Sequence, residues 1–176
     1  MRLSDHFTLE ELTRTRVKGV DNTPGSLAID NLKRVCRWLE MLREEWNRRY
    51  GDGDDPIIIN SGYRSVAVNR AVGGAQQSNH LTGCAVDIRA CGLEQALRYM
   101  VILLDISDES QEAFDELLLE RKGCSTWVHF AVRATGNRRK VIIYPKCGIP
   151  HKVNFILLYF NTLQVRTQTQ RRNGQP

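Results

Sequence analysis

Ser78-Asn79-His80-Leu81-Thr82-Gly83-Cys84-Ala85-Val86-Asp87-Ile88 sets an imidazole and a carboxylate seven positions apart, with a glycine between them. From Cys84 onward the stretch alternates as a strand does. Cys84, Val86 and Ile88 share one face, while Ala85, Asp87 and Arg89 share the other. Trp127-Val128-His129-Phe130-Ala131-Val132 repeats the pattern, with Val128, Phe130 and Val132 on one face and Trp127, His129 and Ala131 opposite. Each segment therefore has an aliphatic face for a core and a face bearing one potential metal ligand. If the two strands pair, Asp87 and His129 lie side by side, and the small Ala85 and Ala131 leave room beside them. His80 reaches the same point from the loop that Gly83 turns back. Two imidazoles and one carboxylate are a ligand set suited to a catalytic zinc with its fourth position open to water. Taken singly, each residue reads first as a solvated or hydrogen-bonded loop histidine or a strand aspartate partnering a turn; the joint pattern is the more specific signal.

Around this pair of segments the chain reads as α+β. Thr8 and Glu11 have capping-box spacing and open a short amphipathic segment. Thr23-Pro24 reads as the cap and first turn of a long helix. That helix carries Leu32, Val35, Cys36, Leu39, Leu42 and Trp46 at helical spacing and ends near Tyr50. Ile57–Asn60 reads as a buried strand, Val66–Val72 as one or two helical turns, and Leu93–Leu104 as a second core helix. Phe114–Glu120, Trp127–Arg133 and Lys140–Tyr144 are further strands, the last two joined through Ala134-Thr135-Gly136-Asn137 as a hairpin. Helices precede and separate the strands without regular βαβ alternation, so the expected architecture is a small antiparallel sheet with helices packed on one face. Residues 1–22 are expected to form an N-terminal helical extension packed on a domain of residues 23–150. Residues 151–176 are expected to be an appendage with a disordered end.

The 176 residues fit one domain, and a hydrophobic content of 41% supports an ordinary core without covalent staples. Five cysteines, odd in number and without a Cys-x-x-Cys pair, exclude a disulfide framework and a cysteine-ligated structural zinc. The net charge of +5 favours an acidic partner such as nucleic acid, an anionic membrane face or an acidic polymer, and charge alone does not choose among them. Met1–Glu10 lacks the apolar core of a signal peptide, and Val153–Val165 is too short and too interrupted to span a membrane. Ser78 has no Gly-x-Ser-x-Gly setting and no base placed for it, which excludes serine hydrolysis. Arg138-Arg139-Lys140 reads first as a solvated hairpin end and second as a contact for an anionic polymer.

Ser61-Gly62-Tyr63-Arg64-Ser65, then Asn69 with Val72-Gly73-Gly74, then Ser78-x-His80-x-x-Gly83-x-Ala85-x-Asp87-Ile88, then Trp127-Val128-His129, in this order, resemble the zinc D-Ala-D-Ala carboxypeptidase family. That family includes bacteriophage endolysins and shares its architecture with the zinc domain of hedgehog proteins. The likeness runs from about Phe7 to Tyr144. It implies Zn2+ held by His80, Asp87 and His129, with Arg64 beside the metal to hold a substrate carboxylate or a polarised carbonyl. A guanidinium suits that task because it stays charged and binds oxygens in a fork. Ser78 and Asn79 are expected to shape the loop or to contact substrate, and Trp127 to contact substrate. Several members carry an acidic base three positions before the last histidine, where this chain has Thr126. The resemblance moves that role to Glu120, which a short turn through Gly123 would bring to the site, whereas Asp115 and Glu116 at a strand start are expected to be exposed.

The function so implied is zinc-dependent cleavage of peptidoglycan stem peptides, at a terminal D-Ala-D-Ala bond or an internal L-Ala-D-Glu bond, by a phage or prophage endolysin or a virion-associated wall hydrolase. The expected partner is bacterial peptidoglycan, with no nucleic acid, no integral membrane association and a monomeric protein. The enzyme is expected to be made in the host cytoplasm and to act on the wall at lysis. The alternative is a noncatalytic, zinc-stabilised wall-binding or virion structural module, which Thr126 in place of an acid keeps open.

Overall fold

A computed structural model describes residues 1–143. The expected appendage 151–176, Tyr144 and Cys147 lie outside the described residues. In chain order the elements are α1 (Leu9–Thr13), α2 (Ser26–Arg49), β1 (Ile59–Ser61), α3 (Val66–Ala71), β2 (Ala85–Ala90), α4 (Leu93–Ser110), β3 (Glu116–Lys122), β4 (Ser125–Ala131) and β5 (Lys140–Ile143). One turn of 3-10 helix at Asn79–Thr82 precedes β2. The expected α+β class is the class found.

Helix α2 forms because its apolar residues recur every three to four positions and so make one stripe. Leu32, Val35, Cys36, Leu39 and Leu42 are all fully buried. It starts later than expected. Gly25, not Thr23, is the N-cap. Pro24 disfavours helical backbone at Thr23, and the Thr23 N–H is taken by Asp21 Oδ1 (2.9 Å). In α1, by contrast, Thr8 Oγ1 accepts from Glu11 N–H (3.2 Å) as its spacing predicts. Helix α4 continues six residues beyond Leu104 because Ile106 and Ser107 still face the core.

The five strands order as β1-β2-β4-β3-β5. The first three pairings are antiparallel, but β5 lies parallel to β3, with Glu116 opposite Lys140. This corrects the expected β4–β5 hairpin and the all-antiparallel sheet. Both edges of β4 are already occupied by β2 and β3, so the chain reverses after β4 as expected but must pass the end of β3 to find a free edge. The β3–β4 connection is the tight turn through Gly123 (φ 58°).

One sheet face, with Val86, Ile88, Leu117, Leu119, Val128 and Phe130, packs against α2 and α4 in a single core. At its centre Trp38 meets Phe130 at 5.3 Å and Phe114 edge-on at 6.4 Å. Phe7 and Leu12 belong to the same core, so the first 22 residues share it with the rest of the chain. The opposite face of the sheet carries the polar residues. Among the described residues no helix is long and apolar enough to cross a membrane.

Candidate metal centre

The β2–β4 register places Asp87 directly opposite His129 and Ala85 opposite Ala131. His80 arrives from the 3-10 turn, which Gly83 ends in left-handed backbone (φ 73°). A side chain is doubly excluded at Gly83, because a Cβ would sit 2.5 Å from the Ala28 carbonyl oxygen. The three side chains converge. His80 Nε2 lies 3.2 Å from Asp87 Oδ1, His129 Nδ1 lies 3.0 Å from the same oxygen, and the two nitrogens are 3.3 Å apart. A tetrahedral zinc with bonds of ~2.0–2.1 Å separates its ligand atoms by about 3.3 Å. The triangle of donors is thus already the size of one face of that tetrahedron, and the residues fit the ion.

The atoms turned away from the centre are anchored. His80 Nδ1 donates to the Gly62 carbonyl (2.6 Å), which fixes the ring so that Nε2 faces inward. Asp87 Oδ2 is paired with Arg64, whose Nε donates to Ser61 Oγ (2.8 Å). His129 Nε2 faces Glu116 Oε2 at 3.6 Å. Glu116 is itself held by Asn79 Nδ2 (3.1 Å), Arg138 (2.9 Å) and Lys140 (3.2 Å). Without metal, burial alone would raise the Asp87 carboxyl. The neighbouring His80 and hydrogen bonds from both histidines outweigh it and hold Asp87 well below the usual carboxylate range. Burial likewise opposes charge on His129, yet its partners Asp87 and Glu116 push it up to about 9. Proximity to His129, with Lys140 behind, lowers Glu116 to about 2.

Glu116 is the residue that sequence reasoning undervalued. Asp115 beside it is fully buried, where exposure was expected. Asp115 accepts from Asn79 (2.8 Å) and, in a fork, from Arg138 (2.7 and 2.8 Å). Arg138 and Lys140 are therefore ion-paired rather than a solvated hairpin end, and Arg139 pairs with Asp108. The available signal was charge complementarity between Asp115-Glu116 and Arg138-x-Lys140 at the starts of two strands.

Ser78 caps the 3-10 turn, accepting from His80 N–H (3.3 Å), and Asn79 is buried with its amide shared among Asp115, Glu116 and Arg133. Both shape the loop. Glu120 sits opposite Trp127 in the β3–β4 register, on the face that carries His129, and accepts from Trp127 Nε1 (2.7 Å). Thr126 belongs to the other face. It is buried on the core side with Val128 and Phe130. Along a strand an offset of three reverses the face, so no side chain at that position of β4 reaches the metal centre. Arg64, Asp87 and Trp127 line a cleft of about 590 Å³.

The model of the peptidase M15 family matches residues 5–110, more than half of the chain. His80 and Asp87 fall within that stretch, and His129 joins them through the β2–β4 register. A curated relative, the zinc D-Ala-D-Ala carboxypeptidase of Streptomyces albus G, is 47% identical over 55 residues, covering 28% of this chain and 22% of its own length. The chain thus spans about a fifth of the relative it matches. With a family match of that extent and a buried His-Asp-His centre, Asp87 and His129 on the expected strands and His80 on the turn before them, the chain belongs to the peptidase M15 family.

Proposed function

We propose that this protein is a zinc metallopeptidase that cuts peptidoglycan stem peptides. The carrying observation is the three-donor triangle with each outer atom anchored, to Gly62, Arg64 and Glu116. Zinc in a three-ligand site supplies Lewis acidity and activates water near neutral pH. The chain's own residues divide the remaining work. Glu120, on the ligand face one register step from His129, takes the proton of the attacking water and returns it to the leaving amine. Its bond to Trp127 Nε1 fixes one carboxylate oxygen and leaves the other for that transfer. Arg64 lines the cleft beside Asp87 and offers its remaining N–H donors to a substrate carboxylate or developing oxyanion. The name of the S. albus G relative supports a D-Ala-D-Ala bond as substrate, and an internal L-Ala-D-Glu bond is the second option.

The proposal includes a hedgehog-type architecture and a phage or prophage lysis setting, with the protein made in the host cytoplasm and acting on the wall. The net charge of +5 supports an anionic wall as partner. Thr126 no longer favours a noncatalytic module, because its face cannot serve the metal. The test is mass spectrometry of muropeptides after digestion with the zinc-loaded protein. New amino and carboxyl termini identify the scissile bond, and they should vanish in His80→Ala. Intact muropeptides with full zinc occupancy would sink the peptidase reading.

A further inference from the structure

The cleft beside the metal centre is lopsided in charge. Arg14, Arg16, Arg64, Arg89 and Lys122 line it, against Asp87 as the one acidic lining residue, which is already taken by Arg64, and Glu120 at its edge, bonded to Trp127. The remaining four cations form no ion pair among the described residues, and they are gathered in one cleft. They also come from opposite walls. Arg14 and Arg16 follow α1, which is pinned to the metal loop where Tyr63 N–H donates to the Leu12 carbonyl (2.8 Å). Arg89 and Lys122 stand on the sheet, on the same face as the metal ligands.

The strand register gives a scale. Arg89 is one same-face step beyond Asp87, about 7 Å along the sheet, and Lys122 is two such steps beyond Leu118, the partner of His129, at about 13–14 Å. An extended peptide rises ~3.3 Å per residue, so these steps correspond to about two and four residues of substrate. Unpaired like charges gathered on concave walls repel one another until an anion joins them. We propose that this cleft is a subsite for an acidic peptide, one carrying a carboxylate about two to four residues from the bond cut at the metal. The proposal rests on the peptidase reading above and names its substrate class.

The test uses the full-length, zinc-loaded protein and two matched peptides that differ only in Glu or Gln at the positions two and four residues from the scissile bond. KM and kcat are measured for each, and Kd is measured independently by calorimetry. The acidic peptide should show a lower KM by about tenfold, the scale of one charge-assisted hydrogen bond. The preference should fade at about 500 mM salt, where screening is short-ranged. In Arg89→Gln/Lys122→Gln the KM ratio of the two peptides should approach one while kcat for the acidic peptide stays within about twofold, since neither side chain touches the reacting atoms. Lys33→Gln/Arg48→Gln, which removes the same charge from a distant face of α2, should keep the preference. No preference in the wild type, or a preference that survives the cleft variant, overturns the subsite and leaves the peptidase reading standing. Tight, charge-dependent binding of the acidic peptide without cleavage of either would do the reverse. If inorganic polyphosphate binds in a manner dependent on Arg89 and Lys122 and the acidic peptide does not, the cleft serves a phosphate polymer and the proposal is wrong.

Discussion

Gly62→Ala should damage the metal centre without touching a ligand. A Cβ at Gly62 would stand 2.3 Å from the Leu12 carbonyl oxygen and 3.0 Å from its carbon, both backbone atoms that cannot swing aside. Restoring an ordinary contact of about 3.4 Å requires the two backbones to separate by roughly 1 Å. Two bonds cross this junction. Tyr63 N–H donates to Leu12 O, and the Gly62 carbonyl receives His80 Nδ1 at 2.6 Å. Overpacking of this kind costs about 1–3 kcal/mol, to be read from the urea midpoint of the metal-free protein. Loss of a second-layer partner of a metal histidine costs roughly 10–100-fold in affinity, to be read by zinc competition with a chromogenic chelator. Gly25→Ala, where the added carbon meets open space, should leave zinc affinity unchanged. A Gly62→Ala protein that loses stability yet binds zinc as tightly as wild type would refute the claim that this carbonyl orients His80. Wild-type values for both would refute the close approach itself.

Glu120→Gln should retain zinc and lose about 10²–10⁴ in kcat, the range for a removed general base. Glu116→Gln should instead weaken zinc about 10–100-fold and recover much of its rate at saturating metal. The opposite pairing of outcomes in metal analysis and kinetics would exchange their roles. Zinc affinity should rise with pH, because the ion must displace the proton that His129 holds with a pKa of about 9 in the metal-free protein. The sign follows from a raised pKa. The stability the ion pair contributes is fully present below the ordinary histidine value of ~6.5 and disappears as pH climbs through about 9, while affinity for zinc gains up to tenfold per unit over that range. A chelator titration showing flat affinity between pH 6 and about 9 would contradict this prediction.

Strand alternation carried much of the site. Asp87 and His129 share a face because each is an odd step from its strand's aliphatic residues, and the observed register makes them direct partners. Periodicity also located the stripe of α2. What it could not supply was the identity of neighbours. Ala134–Asn137 has turn residues, and Asn137 does close the loop locally, donating to and accepting from Arg133. A local turn signal contains nothing about β4 having both edges filled, so the partner of β5 was read wrongly. Glu116 was passed over for a similar reason. Its importance comes from Arg138, Lys140 and Asn79, more than 20 residues away in each case, and no window of sequence brings them together. The expected position of the missing acid failed for a reason the sequence did contain, since an offset of three on a strand points to the core.

The pairing of Asp87 with His129 also governs which mutations the chain can absorb during its evolution. Side chains alternate with a period of two, so a single-residue insertion or deletion within β2 or β4 would turn its aliphatic residues outward and its ligand inward together. Such a lesion cannot be repaired by a compensating substitution at one position. Length changes are thereby confined to connections outside the ladder, such as Gly51–Pro56, where the chain runs between elements. Descendants of this sequence can be expected to drift freely in residue identity along the exposed helix faces, while the count of residues through β2 and through β4 stays frozen.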